Sequence, residues 1–69
     1  MSNKQYTSWG NYIKVKLKDG TIFKDVLIYP NIKNNNEHIL EYRNKNIVTI
    51  KTNDIKMLKD NIYKIETIL

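Results

Sequence analysis

A row of lysines early in the chain is the strongest candidate for binding chemistry. Lys14, Lys16 and Lys18 alternate with the apolar residues Ile13, Val15 and Leu17. Alternation with a period of two is typical of a strand that buries one face, so the three ammonium groups are predicted to share the outer face. Lys24, on the strand predicted next, extends the row. Such a row can bind phosphate groups, or it can keep a sheet edge from pairing with other chains.

Aromatic side chains offer a second means of binding. The chain holds one Trp, five Tyr and one Phe. Such rings stack on the bases of single-stranded nucleic acids, but the core and rim of a small β-barrel use the same residues. Trp9, beside Gly10, is predicted either to cap a barrel or to anchor a partner, because Trp is a frequent hot-spot residue at interfaces.

Residues suited to catalysis are few. His38 is the only histidine and follows Glu37, a pair that could act as a general base and its orienting group. The alternative is a histidine on the surface or at the rim of a barrel. Cysteine is absent, which excludes disulfides and thiolate metal sites, and no glycine-rich phosphate loop occurs. We therefore expect a protein without enzymatic activity, cofactor or metal.

The net charge of +5, from twelve Lys and Arg against seven Asp and Glu, has two explanations. It can attract nucleic acid, or it can follow from AT-rich codons, which enrich lysine, asparagine and isoleucine together. Only one basic residue, Arg43, is of the type that phosphate and base recognition favour. No apolar run reaches the ~20 residues of a membrane-spanning helix, so a cytoplasmic location without membrane contact is expected.

The elements that must position these residues are predicted to be strands. The chain lacks alanine and is rich in β-branched residues, which favours an all-β fold. Five short strands are predicted over residues 13–18, 21–29, 38–42, 47–51 and 55–58. Apolar residues on both faces of 21–29 indicate a strongly bent strand, as in a small barrel.

The connections and ends are predicted from their turn residues. Asp19-Gly20 is predicted to form a primed hairpin turn, and Asn31–Glu37 a loop whose asparagines take positive φ. Residues 1–10 are expected to be a polar arm, irregular or with one helical turn, and residues 11–69 a single domain. Residues 59–69 fit either a short helix or an extra strand.

Two motifs within these strands resemble those of Sm and Sm-like proteins. Leu17-Lys18-Asp19-Gly20, with Phe23 and Leu27, resembles the first motif, in which Asp25 stands in place of a glycine. Ile50-Lys51-Thr52-Asn53-Asp54-Ile55 resembles the second, with Lys51 in place of an arginine and Thr52 in place of a glycine. Over residues 12–58, the resemblance implies a strongly bent, five-stranded SH3-like barrel. It also implies rings that bind uridine-rich single-stranded RNA, with the family's loop positions falling on Asn31 and Asn35.

Two functions remain open. The first is binding of single-stranded nucleic acid through the lysine row and nearby rings such as Trp9, with Asn31, Asn35 and Lys51 as the Sm-like positions. The second is a protein-interaction module for an acidic partner, for example a small inhibitory or accessory factor of a phage or other mobile element in an AT-rich host. The edge strands 38–42 or 47–51 could also pair copies of the chain into a homo-oligomer.

Overall fold

Seven β-strands and one turn of 3-10 helix dominate the part of the chain that the computed structural model describes, residues 2–58 and 63–68. The strands are β1 (Ser2–Thr7), β2 (Ile13–Leu17), β3 (Ile22–Pro30), β4 (Glu37–Tyr42), β5 (Ile47–Lys51), β6 (Ile55–Leu58) and β7 (Tyr63–Ile68). The 3-10 turn is Thr52–Asp54. The all-β class is confirmed, and the five predicted strands correspond to β2 through β6, with ends that differ by at most one residue.

The five predicted strands form one antiparallel sheet in the order β5-β4-β3-β2-β6. Strands β5 and β6 are its edges, and within residues 2–58 and 63–68 no pairing joins them. The sheet is therefore open, whereas the sequence predicts a small five-stranded barrel.

Strand β2 contributes every second residue to the core. Its apolar residues Ile13, Val15 and Leu17 are at most 9% exposed, as the alternation predicts. The other buried apolar residues come from the three strands that follow in the sheet: Val26, Ile28, Leu40 and Ile50. Half-buried rings, including Phe23 and Tyr42, pack against this cluster.

The β2–β3 connection is a hairpin, but of a different type from the one predicted. Gly20 has a φ of 95°, which glycine adopts without steric cost, while Asp19 has no positive φ. The amide of Leu17 donates to the carbonyl of Thr21, 2.8 Å away, so Lys18, Asp19 and Gly20 form a three-residue loop. The predicted primed turn, which needs a positive φ at its first central residue, is wrong.

Strand β3 bends at Asp25, which has a φ of 60°. The pairing with β2 shifts at this point, from Val15 opposite Phe23 to Ile13 opposite Val26, so one extra residue bulges out of β3. Because side chains alternate along a strand, the bulge changes which positions point inward: Phe23 before it, Val26 and Ile28 after it. The bulge explains the apolar residues on both faces and kinks the strand locally, whereas a strong bend across two layers of a barrel stays a prediction.

Residues at the two ends of the chain form a separate two-stranded sheet. Strand β1 pairs antiparallel with β7, from Ser2 opposite Ile68 to Thr7 opposite Tyr63. The prediction of an irregular or helical arm is thus wrong for residues 2–7. Of the two alternatives for the C-terminal segment, the extra strand holds for Tyr63–Ile68. Residues 59–62 and 69 lie outside the described residues.

Ser8 attaches this N-terminal segment to the main sheet. It is fully buried, and its amide donates to the carbonyl of Ile28, 3.0 Å away. Its hydroxyl oxygen accepts a hydrogen bond from the amide of Ile28 at 3.1 Å. The register of β2 on β3 ends at Val26, so Ser8 satisfies the backbone of β3 where β2 no longer pairs with it.

We expect Ser8→Ala to lower the free energy of unfolding by about 1–3 kcal/mol, because it leaves the buried amide of Ile28 without an acceptor. Chemical denaturation followed by circular dichroism measures the change. Thr7→Ala is the matched control, because the Thr7 hydroxyl accepts only the exposed amide of Trp9 among the described contacts, at 3.2 Å. Equal losses for the two variants would contradict the role given to Ser8.

We expect Asp25→Ala to be less stable than both Asp25→Gly and Asp25→Asn by about 1–2 kcal/mol. Alanine meets the full steric cost of a left-handed backbone, which glycine avoids and asparagine tolerates. All three variants lose the carboxylate, so charge does not account for the difference. Equal midpoints of urea denaturation for the alanine and glycine variants would rule out a backbone requirement at this position.

Candidate functional site

The predicted lysine row lies on the outer face of the β2–β3 hairpin. Lys14 is exposed and Lys16 half-buried, on the side of β2 opposite the core. Lys16 pairs with Ile22 of β3, and Lys24 follows Ile22 on the same face, because Phe23 between them points inward. The structure thus brings Lys14, Lys16 and Lys24 onto one surface. Ile22, 45% exposed, lies among them.

Lys18 extends the row past the end of β2 towards the 3-10 turn. Its amide donates to the carbonyl of Asp54 at 2.8 Å. This bond ties the hairpin loop to the Thr52–Asp54 turn, whose next residue begins β6. The exposed residues Asp19 and Asp54 flank Lys18, so this end of the row has less net positive charge than the Lys14 end.

A second feature, which we call the asparagine depression, lies where the β3–β4 loop meets the end of β5. It has a volume of about 430 Å³ and is lined by Asn34, Asn36, Glu37, Lys51 and Asn53. Strand register sets Glu37 opposite Lys51. The amide of Thr52 donates to the carbonyl of Asn36 at 2.8 Å, which holds the loop against the 3-10 turn.

The asparagines of the β3–β4 loop shape its backbone through their side chains. The Asn31 side-chain oxygen accepts the amide of Lys33, and that of Asn34 accepts the amide of Asn36, each at 3.0 Å. These are Asx turns, in which a side chain replaces a backbone acceptor. No residue of this loop has a positive φ, so the predicted conformation of its asparagines is wrong.

The Sm-like positions only partly coincide with the asparagine depression. Lys51 lines it, but Asn31 and Asn35 do not. The Asn31 side chain donates to a carboxylate oxygen of Glu37 at 3.2 Å, and Asn35 is exposed at the loop. Sequence reasoning missed Asn34, Asn36 and Asn53 as lining residues. A run of three asparagines was visible, but which of them face Lys51 depends on the turns of the loop.

His38 is buried, so the prediction of a histidine on the surface or at a rim is wrong. Its Nε2 accepts the backbone amide of Tyr6 at 2.9 Å, which places the ring proton on Nδ1, 2.6 Å from the Thr52 hydroxyl oxygen. Neighbouring strand residues point to opposite faces, and the Glu37 carboxylate instead accepts from Asn31. The predicted His38–Glu37 pair is not among the contacts of the described residues. Burial lowers the pKa of His38.

The one arginine is engaged on the protein's own surface. The guanidinium of Arg43 donates two hydrogen bonds to the carboxylate of Asp25, one of them 2.9 Å long. The guanidinium carbon also lies 3.9 Å from the centre of the Tyr12 ring. The hydrogen bond from Arg43 holds the pKa of the Asp25 carboxyl below its usual value. These contacts hold the guanidinium against the bend of β3.

Trp9 does not cap the core as one alternative predicts. Its side chain is 60% exposed, and it is not part of the hydrophobic cluster. Its φ of 51° is unusual for a bulky residue, since a left-handed backbone is sterically costly outside glycine. The other alternative, an anchor for a partner, stays a prediction.

Neither a metal centre nor a transmembrane helix is found in the part of the chain that the structure describes. No three His, Cys, Asp or Glu side chains come together there in a way that could hold a metal ion. No helix there is long and apolar enough to cross a membrane.

Comparison with models of known protein families, with curated proteins and with solved structures finds no match to this chain. The resemblance of its two motifs to those of Sm-like proteins therefore rests on the residues of this chain alone.

Proposed function

We propose that this chain is a binding module without enzymatic activity that takes up single-stranded nucleic acid along the lysine row and the asparagine depression. One observation carries the proposal: the two features adjoin at the 3-10 turn. The amide of Lys18 bonds to Asp54 in that turn, and Asn53, the preceding residue, lines the depression. A strand of nucleic acid on the lysine row would therefore lead into the depression.

The chemistry of the two features is complementary. Lysine ammonium groups neutralise phosphates as point charges, without base discrimination. Asparagine amides both donate and accept, so they can bond to the polar edges of an unpaired base. The volume of about 430 Å³ lies within the ~300–1,000 Å³ of small-ligand sites, which is enough for one base. Lys51, which lines the depression, supplies a cation for the phosphate of the nucleotide whose base lies there.

An SH3-like, Sm-like architecture is the finer fold that we assign to the open sheet. Its support is the order of the five strands and the bend at Asp25. The resemblance places a glycine of the first Sm motif at this position, and a positive φ of 60° is a conformation that favours glycine. Asp25 thus departs from the motif in residue type while having the backbone conformation that glycine adopts most easily.

A protein partner is the second candidate function, and the exposed Trp9 is the observation that favours it. A bulky ring that is 60% exposed on a costly left-handed backbone is typical of a residue retained for binding. The positive charge of the chain suits an acidic partner. The edges of β5 and β6, which no other strand among residues 2–58 and 63–68 covers, also offer backbone groups for pairing with a second copy of the chain.

Binding of fluorescent oligouridine and oligothymidine, measured by anisotropy across a range of salt concentrations, tests the first function. Affinity is expected to fall linearly on a log–log plot, and Lys14→Gln, Lys18→Gln and Lys51→Gln are each expected to reduce the slope by about 0.7, the value for one single-strand phosphate. Lys45→Asn is the matched control, because Lys45 is an exposed lysine in the β4–β5 turn with a φ of 76° that asparagine tolerates. No binding at about 50 mM salt would refute this function.

Capture of partners from a native lysate, with and without nuclease, tests the second function. If Trp9 anchors a protein, its partner survives nuclease treatment and is lost with Trp9→Ala, whereas Ile32→Ala, at an isolated apolar residue that is 93% exposed, has no effect. A partner that disappears with nuclease supports the nucleic-acid function instead. Retention of the same partner by both variants would exclude Trp9 as the anchor.

A further inference from the structure

The buried His38 ring joins three elements that are far apart in sequence. It belongs to β4, accepts the amide of Tyr6 in β1, and bonds to the hydroxyl of Thr52 in the 3-10 turn. The Tyr6 and His38 rings also pack together, with centres 5.5 Å apart. Thr52 lies between Lys51 and Asn53, which both line the asparagine depression, and its amide bonds to Asn36. The ring is therefore a direct link between the N-terminal strand and the walls of the depression.

Only the neutral ring can make this set of contacts. A neutral imidazole has one nitrogen that accepts and one that donates, and the structure uses both. After protonation both nitrogens are donors, so Nε2 and the Tyr6 amide would point hydrogens at each other. The Thr52 hydroxyl can still accept from Nδ1, but the ring is rigid, so a movement that separates Nε2 from the Tyr6 amide also displaces Nδ1 relative to Thr52. The contact that protonation breaks is thus the hydrogen bond that joins β1 to β4 at Tyr6.

No charged group compensates for a proton on the ring within the described side chains. Burial is the cause of its lowered pKa, without a contribution from a neighbouring charge. No ion pair involves the ring in the described region. The titratable groups on the elements around the ring are Lys4 and Tyr6 on β1, Lys24, Asp25 and Tyr29 on β3, Glu37, Glu41 and Tyr42 on β4, Lys51 on β5 and Asp54 in the 3-10 turn.

We propose that His38 is a proton-controlled latch, which in its neutral form fastens β1 to the main sheet and, on protonation, releases β1 and loosens the turn that carries the asparagine depression. The consequence for ligand binding rests on the proposed function. The latch itself does not, because its contacts lie within the protein.

The direction of the pH effect follows from the sign of the pKa shift. The folded protein holds the pKa of His38 below its ordinary value of 6.5, so the unfolded or released chain binds the proton more tightly. The stability that the latch contributes is present above pH 6.5 and is lost as the pH falls from there towards the folded pKa. Since His38 is the only histidine, no other side chain has an ordinary pKa in this window.

Amide hydrogen exchange, resolved by residue and corrected for intrinsic rates, tests the latch. Between pH 6.5 and the folded pKa, protection of the Tyr6 amide is expected to fall by up to about tenfold per pH unit, the slope for one linked proton. In His38→Gln, the side-chain oxygen can accept from Tyr6 and the amide nitrogen can donate to Thr52 without titrating. Protection in this variant should not change over the same range.

Two results would overturn the latch: constant Tyr6 protection in the natural chain from pH 7.5 to 5.5, or the same pH dependence in His38→Gln. Should the variant fail to fold, the natural chain still decides. The NMR titration of the His38 ring and the loss of Tyr6 protection must then reflect the same proton uptake. A ring that becomes protonated while the Tyr6 amide stays protected contradicts the proposal.

Oligouridine binding at pH 7.5 and 5.5 separates the latch from the proposed function. Added positive charge alone would tighten oligouridine binding at pH 5.5. An opened depression would weaken the binding instead. This weakening is expected in the natural chain and not in His38→Gln. If no oligonucleotide binds at either pH, the proposed function fails while the exchange result still decides the latch. If binding tightens equally in the natural chain and in His38→Gln, the depression is independent of the latch and that part of the proposal is wrong.

Discussion

The divergence of β2 from β3 after Val26 is the constraint on which much of this structure depends. Ile28 is buried, so its amide and carbonyl on the side that β2 has left need partners within the protein. Ser8 supplies both. That requirement brings the N-terminal segment onto the main sheet, and with it Tyr6 onto His38. Ser8 and His38 are thus polar residues of a small core that bond to backbone groups, Ser8 to those of Ile28 and His38 to the amide of Tyr6. The irregular sheet leaves these groups in need of partners.

Sequence pattern predicts the main sheet well because its physical cause is local. The alternation in β2, the glycine at the hairpin and the mixed faces of β3 each reflect burial or backbone geometry within a few residues. The contacts of Ser8 and His38 span 20 and 32 residues, and nothing in a polar segment such as Ser2–Thr7 indicates its partners. The lysine row was predictable for the same reason as β2. The asparagine depression was not, because it depends on how two loops meet.

The arginine and the lysines of this surface differ in their contacts with the rest of the protein. Arg43, the residue type best suited to hold a phosphate with two parallel hydrogen bonds, is bound to Asp25 and stacked on Tyr12. The cations left on the lysine row interact as mobile point charges. Under the proposed function, such a surface would attract a polyanion without fixing its register, and geometric selection would fall to the more rigid loops. The Asx turns and the bond from Thr52 to Asn36 give the β3–β4 loop that rigidity.

Asp25 has two roles: it takes the left-handed backbone conformation at the bulge of β3, and its carboxylate binds the guanidinium of Arg43. A glycine would satisfy the left-handed backbone at this position without any side chain, and it would leave the guanidinium of Arg43 without its carboxylate. Aspartate and glycine codons differ by a single base. In evolutionary terms, one point mutation would keep the left-handed backbone and remove the carboxylate partner of the chain's one arginine. Lineages that carry one or the other residue would then inherit the same architecture with different affinity for anions.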